Sequence, residues 1–283
     1  MNPNILRGLL ISAKKRGIVS KYFPKNSNKY YSQRSALLLD EFFFLALSKL
    51  DIGCLMECGA HEALASTKFS NMGKRAIAIE ANPSTYKSKT LKAKSAGVEV
   101  LNIGLGASKG ELKFYVPKND SRAGSATFQP KSNEDYITKT VKVETIDNIF
   151  KQRNLNDSLI ALWIDVEGFS REVLQGAKEL LENRKCLMIK IEVETYPYFK
   201  GQALCTEIND YLMSFGFSPI LVDDEYKQQF NVIFVKKQLI DILSLELKDM
   251  FDRMSTISFG VKELIWLKLT KLITRSVRLF KKN

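Results

Sequence analysis

The chain has 283 residues, 45% of them apolar and 26% charged, and a net charge of +12. That length suits one sizeable α/β domain with additions and is short for two full domains, and no run of about 18 apolar residues occurs that would span a membrane. Four cysteines without a CxxC pair and a single histidine, His61, supply no zinc-ligand set and read as reduced thiols of a cytoplasmic protein.

Residues 1–33 are basic, polar and weakly patterned. Their short apolar core at Leu9, Leu10 and Ile11 precedes the basic group Lys14, Lys15 and Arg16, which is the wrong order for a secretory signal. Residues 34–49 are densely apolar and predict a buried helix. A strand at 53–57, the turn Cys58-Gly59-Ala60 and a helix over 62–72 follow. Residues 75–80, RAIAIE, form a β-type run ending in an acid. A helix over 83–96 has Pro83 in its first turn, and a third strand covers 98–101. Further strands are predicted at 111–116 and 140–143, with 117–139 a polar loop between them and a helix over 144–153 after them. The buried run LIALWI at 159–164 ends at Asp165. A helix over 169–183, a strand over 186–193, and a helix over 204–215 stopped by Gly216 come next. Strands at 218–222 and 230–235, joined by the acidic turn 223–225, read as an antiparallel hairpin. Strands alternating with helices give a mostly parallel sheet covered on both faces.

Charge is concentrated at the ends. Residues 1–35 hold eight basic residues and no acid, and residues 261–283 hold seven basic residues against Glu263, so the middle is close to neutral. Lys268, Lys271, Arg275, Arg278 and Lys282 share one helical face. Ile265, Leu269, Leu272, Ile273 and Phe280 share the other, with Trp266 at the border. Such a helix suits either a peripheral position on an anionic membrane surface or packing on the protein's own domain or a partner. No stacking platform or binding motif accompanies the charge, which argues against nucleic acid. The expected organisation is a basic arm over 1–33, a domain over 34–237, and a basic amphipathic helical extension over 238–283, broken near Gly260.

The first βα unit carries the chemistry. Glu57 closes the strand, and Gly59 then lets the backbone turn tightly and approach a ligand. Glu80 closes the second strand about 20 residues on, where an acid accepts ribose hydroxyls. The pair describes a site for an adenosine-bearing cofactor at the carboxyl edge of the sheet. No GxGxxG is present, which argues against NAD or FAD.

Four segments resemble the FkbM family of methyltransferases: Glu57-Cys58-Gly59-Ala60-His61, Ile79-Glu80-Ala81-Asn82-Pro83, Val143-Glu144-Thr145-Ile146-Asp147, and Trp163-Ile164-Asp165-Val166-Glu167-Gly168-Phe169 with Val173-Leu174-Gln175-Gly176-Ala177. The last is the most specific, because its identities fall at fixed spacing. The late run Tyr211–Phe217 is also similar to the family pattern. Relative to that pattern, Glu57 replaces Asp, His61 replaces Asn, Ala63 replaces a second Gly, Ala81 replaces Pro, Trp163 replaces Lys, and Ser170 stands where an acid is common.

The resemblance implies a Rossmann-like class I fold with a mostly parallel seven-stranded sheet, a C-terminal antiparallel hairpin and helices on both faces. It also implies S-adenosylmethionine as cofactor and methyl transfer to an oxygen, such as a hydroxyl of a sugar, glycan or related small molecule. The expected cofactor-binding residues are Glu57, Gly59, Ala60, His61, Ser66, Glu80, Ala81, Asn82 and Asn102.

An alcohol must lose a proton as it attacks, so the transfer calls for a base or a metal. Asp165, Glu167 and Glu192 are the catalytic candidates, with Glu194 close by. A divalent metal would serve the same end, but no motif specifies one. Each acid also has a plain alternative: Asp165 as a helix N-cap, Glu167 as a first-turn acid, and Glu192 as a strand-end acid paired with Lys190. His61 reads as a loop residue that contacts the cofactor or caps a helix rather than as a base. The segment Ser121–Thr127 either grips an acceptor and covers the site or is an exposed loop.

The resulting reading is a cytoplasmic O-methyltransferase, held peripherally at the inner membrane face by its basic ends and acting on a sugar or glycan. The rival is a non-catalytic protein of the same fold that binds an anionic membrane surface or a partner. His61 and Ala63 decide between them, according to whether they block the cofactor pocket.

Overall fold

The computed structural model describes residues 25–118, 126–131, 134–223, 226 and 228–257. Residues 1–24 of the basic N-terminal arm, residues 119–125 and 132–133 of the polar loop and the amphipathic segment from 258 onward lie outside the described residues.

The first helix, α1, spans Lys25–Lys49 and so begins well before the expected residue 34. No Gly or Pro interrupts 25–49, so a helix nucleated by its apolar half extends through the polar half. Leu38, Leu39, Phe42, Phe43, Ala46 and Leu47 recur at helical spacing and are all buried. Strand β1 (Cys54–Cys58), helix α2 (Leu64–Asn71), β2 (Arg75–Ile79), helices α3 (Pro83–Lys89) and α4 (Leu91–Ser95), and β3 (Glu99–Leu101) follow. Next come β4 (Gly104–Leu105), β5 (Gly110–Pro117), β6 (Tyr136–Glu144), α5 (Ile146–Gln152) and β7 (Ile160–Ile164). The chain continues with α6 (Ser170–Gln175), α7 (Lys178–Glu182), β8 (Cys186–Glu194), α8 (Cys205–Ser214), β9 (Phe217–Val222), β10 (Gln229–Lys236) and α9 (Ser244–Ile257).

Seven strands form one sheet in the order β3-β2-β1-β7-β8-β10-β9. All neighbours are parallel except that β10 runs antiparallel to both β8 and β9. The expected hairpin is present, with β10 inserted beside β8 and β9 left at the edge. Alternation along each strand divides the core in two. Cys54, Met56, Cys58, Ile77, Ile79, Leu162 and Ile164 point to the layer of α5, α6, α7 and α8. Leu55, Ala76, Ala78, Ala161 and Met188 point to α1, α2, α4 and α9.

The strands expected at 111–116 and 140–143 belong to a second sheet of three strands, β4-β6-β5. Strand β6 starts at Tyr136, inside the stretch expected to be loop, and pairs residue for residue with β5. Its first half is largely exposed and rich in Thr and Lys, so it carries no hydrophobic signature.

Two expected helices are each split. The one over 169–183 breaks at Gly176-Ala177. A Cβ on Gly176 would sit 2.1 Å from the Gly106 carbonyl oxygen, and the Gly176 carbonyl accepts from Asp147 N at 2.9 Å. The one over 83–96 breaks at Thr90. Helix α9, within the expected C-terminal extension, packs on α1 with Leu247 and Met250 buried, and Lys49 pairs with Glu246 at 3.1 Å. Among the described residues no helix is long and apolar enough to cross a membrane. All four cysteines are free thiols.

Candidate functional site

The site is built where β1, β2 and β7 end. After β1 the chain turns at Gly59, with φ +79°, and a Cβ there would lie 1.7 Å from the Asp165 carbonyl oxygen. Only glycine lets the two strand ends meet. Asp165 N closes the junction by donating to the Cys58 carbonyl at 2.9 Å, while Gly59 N and Ala60 N donate to the Ile79 carbonyl. His61 and Ala63 then take the left-handed conformation, with φ of 47° and 54°.

Glu80 ties this turn to the one after β2. Its Oε2 accepts from His61 N at 2.8 Å and its Oε1 from Asn82 N at 2.6 Å. The Asn102 amide donates to the Glu80 carbonyl at 2.8 Å and to the Ala81 carbonyl at 3.4 Å. Burial raises the Glu80 carboxyl above its ordinary pKa, the Asn82 and His61 amides oppose this, and the charge of Asp165 adds to it. A carboxylate has roughly four acceptor positions. Two are used by backbone amides, and the others remain for ligand hydroxyls.

A cavity of about 330 Å³ opens here. Gly59, His61, Glu80, Ala81 and Thr85 form one end, with Ile79, Ile103 and Leu105 as an apolar strip. Asp165, Val166, Glu167 and Phe169 form the other, and Phe114, Ala126 and Phe128 come from the second sheet and its loop. The rings of Phe114, Phe128 and Phe169 contact in series at 4.8 and 5.0 Å. Gly104 makes room for Phe128, since a Cβ there would lie 2.4 Å from the ring.

The acids gather beside this cavity. Glu167 has φ +47°, and its carbonyl accepts from Thr127 Oγ1 at 2.7 Å, which fixes the strand-end turn to the second sheet. Glu192 accepts from Gln229 Nε2 at 2.7 Å. Desolvation by the surrounding protein is the main cause that raises all four carboxyls of Asp165, Glu167, Glu192 and Glu194, of which only Glu194 is fully buried. Glu167 is pushed up to about 8, Glu192 to about 10 and Glu194 to about 7, and the charge of Asp165 adds to each. Lys190 and His61 pull Asp165 the other way, and Lys131 pulls Glu167 and Glu194. Near neutral pH such a group shares protons, so it offers both acceptors and donors. Among the described residues no group of three or more His, Cys, Asp or Glu side chains is placed to hold a metal ion.

Of the residues singled out in the sequence, Gly59, His61, Glu80, Ala81, Asp165 and Glu167 line the cavity. Glu57, Ala60, Ser66, Asn82, Asn102 and Glu192 do not, and each has other work. Glu57 faces α2, where its oxygens accept from Ala65 N at 3.3 Å and Ser66 N at 2.7 Å. It caps a helix whose N-cap residue, Ala63, has no side-chain oxygen to do so. Burial lifts Glu57 to about 7 against these bonds. Asn82 caps α3 by accepting from Ser84 N at 3.1 Å.

The plain alternatives for the acids are also corrected. Asp165 is no N-cap and Glu167 no first-turn acid, because α6 starts at Ser170 with Phe169 preceding it. Lys190 pairs with Asp40, not Glu192. His61 makes no helix cap and lines the cavity, while Ala63 is buried outside the lining. Of the segment Ser121–Thr127, Ala126 and Thr127 are described; Ala126 lines the cavity and Thr127 bonds to the Glu167 carbonyl. Phe114 and Phe128 had no sequence signal, whereas Phe169 stood next to the IDVEG run.

A sheet with this strand order and one reversed strand, a glycine turn after the first strand and an acid closing the second defines a class I methyltransferase fold. The chain belongs to the FkbM methyltransferase family, whose domain model matches residues 57–219. No curated protein matches it. Among solved structures it is similar to magnesium protoporphyrin IX methyltransferase (ChlM) from Synechocystis PCC 6803 with bound SAM, at 10% identity over 72% of this chain and 80% of that one, with a TM-score of 0.42. It is similar to the bifunctional kinase-methyltransferase WbdD at 10% identity over 72% and 39%, TM-score 0.43. A putative RNA methyltransferase, PH1948 from Pyrococcus horikoshii, gives 13% over 69% and 82%, TM-score 0.34.

Proposed function

We propose that the protein transfers the methyl group of S-adenosylmethionine to a hydroxyl of a sugar, glycan or related small molecule. The observation that carries this is a single cavity lined both by a ribose-type acid, Glu80, and by the carboxyls of Asp165 and Glu167. The residues fit the cofactor: Glu80 keeps acceptor positions for two hydroxyls, and Ile79, Ile103 and Leu105 suit a base. When bound, the cofactor supplies an activated methyl on a sulfonium.

The chain's own part is to align and deprotonate. Asp165, held beside Gly59 by the Cys58–Asp165 backbone bond, lines the cavity that Glu80 also lines. With an acceptor hydroxyl bound there, the Asp165 carboxylate would take the hydroxyl proton as the oxygen receives the methyl group. Glu167 and the Phe114–Phe128–Phe169 series hold the acceptor side and keep water out.

Calorimetric titration with S-adenosylmethionine tests the reading, with Glu80→Ala as control. Micromolar binding that the substitution abolishes supports it. A folded protein that does not bind overturns it.

A further inference from the structure

We infer that Tyr196 and Tyr198 form an aromatic platform that receives the ring of a pyranose acceptor beside the carboxyl wall; this rests on the methyl-transfer reading and gives it an acceptor subsite. The two side chains are 52% and 37% exposed, and their rings meet edge to face, 5.3 Å apart at 66°. They follow Glu194 directly, on the loop that leaves the carboxyl end of β8.

The backbone that carries them is fastened at several points. Thr195 N donates to the Gln228 carbonyl at 2.9 Å, and Tyr198 N and Phe199 N both donate to the buried Gln202 Oε1. The Tyr198 hydroxyl reaches Gln228 Oε1 at 3.2 Å. Phe199 is tucked in at 3% exposure against Gly168, where a Cβ would lie 2.5 Å from its ring, and Lys131 covers that ring at 4.6 Å. Gly168 adjoins the cavity residue Glu167. The loop is thus docked on the very turn that carries the carboxyl wall, with one aromatic spent on the docking and two turned outward.

The chemistry of the pair selects its ligand. Exposed tyrosines offer large apolar faces with a polar rim and lose little entropy on binding. A pyranose has C–H groups on one face to lie on a ring and hydroxyls at its edge for carboxyl partners. The two rings touch edge to face, so a ligand ring lies on an outer tyrosine face rather than between them. The neighbouring carboxyls share protons, so they hydrogen-bond hydroxyls instead of demanding a cation.

Saturation-transfer NMR on the full chain tests this, with the methyl α-glycosides of glucose, galactose, mannose and rhamnose as probes. The expected result is transfer to the ring protons of at least one glycoside. In the double variant Tyr196→Ala/Tyr198→Ala it falls about tenfold, as loss of a stacking contact requires, and in the double Tyr→Phe variant it persists. Thermal unfolding confirms that the variants fold. Transfer from none of the four, or equal transfer in the double alanine variant, overturns the inference. Calorimetry with S-adenosylmethionine separates the two failures. Cofactor binding without glycoside transfer removes the platform and leaves the methyl-transfer reading standing. Transfer without cofactor binding does the reverse.

Discussion

The Lys190 ammonium lies 3.4 Å over the centre of the Trp163 ring and 2.7 Å from Asp40 Oδ1. Trp163 and Lys190 are register partners on adjacent strands, and Asp40 belongs to α1, so one buried charge joins the sheet to its first helix. Phe43 and Phe44 pack on the same indole. Replacing Lys190 with Met removes the ring contact and the ion pair and should cost about 2 kcal/mol in urea unfolding. It also removes the charge that holds Asp165 down against burial. A base must be ionised to act, so the acid limb of the kcat/KM profile should move to higher pH. Lys190→Arg should restore the limb, and an unmoved limb would show that Asp165 is not the group being titrated.

The carboxyl wall makes stability depend on pH in an unusual direction. Glu57, Glu167, Glu192 and Glu194 are raised from 4.5 to about 7, 8, 10 and 7 in the folded chain. A carboxyl whose folded pKa lies above its unfolded one favours folding while protonated and loses that contribution as pH rises through the folded value. The ligand-free protein should therefore show a falling unfolding temperature from about pH 5 toward pH 10. Glu192→Gln, which keeps an acceptor for Gln229, should make the decline shallower and raise the unfolding temperature at pH 8. A flat profile in both proteins would contradict this.

Gly176 is helical in φ and ψ, so alanine there would ordinarily be harmless or helpful. Its Cβ would instead collide with the Gly106 carbonyl at 2.1 Å, backbone against backbone. Gly176→Ala should lower stability by about 3 kcal/mol, at the upper end of overpacking costs. Chemical denaturation measures it, and a neutral result would mean that the two segments are not in contact.

Asp147 acts at a distance in sequence as the cap of α7. Its carboxylate accepts from Glu179 N at 2.9 Å and Leu180 N at 2.8 Å, and Ala177, at the start of that helix, has no capping side chain. Asp147→Ala should cost about 1 kcal/mol without changing affinity for S-adenosylmethionine. Paired unfolding and calorimetry would expose a direct role in the site if affinity fell as well.

These contacts show what the sequence could and could not disclose. Glu80, Asp165 and Glu167 were legible because an acid closing a parallel strand has a fixed place at the carboxyl edge. Glu57 lies two residues inside that edge, in register with Ala78 and Trp163, so it meets the amides of α2 and does not reach the cavity. The TID and VLQGA segments resembled family motifs, yet Thr145, Asp147 and Gly176 serve helix ends and close packing, not the cavity. Phe128 was invisible because it reaches the site from a polar loop that carries no pattern of its own. The start of α1 was missed because residues 25–33 carry no apolar periodicity, although nothing in them interrupts a helix nucleated by the apolar half.

The cavity is bounded by two separate stretches of chain. Gly59 through Leu105 supply the end with Glu80, and Ala126 through Phe169 supply most of the other, with Phe199 bracing the turn at Gly168. Selection on one end can therefore proceed with little disturbance to the other. Substitutions at Ala126 or Phe128 would reshape the wall that the second sheet supplies while the turn that holds Glu80 stays constant.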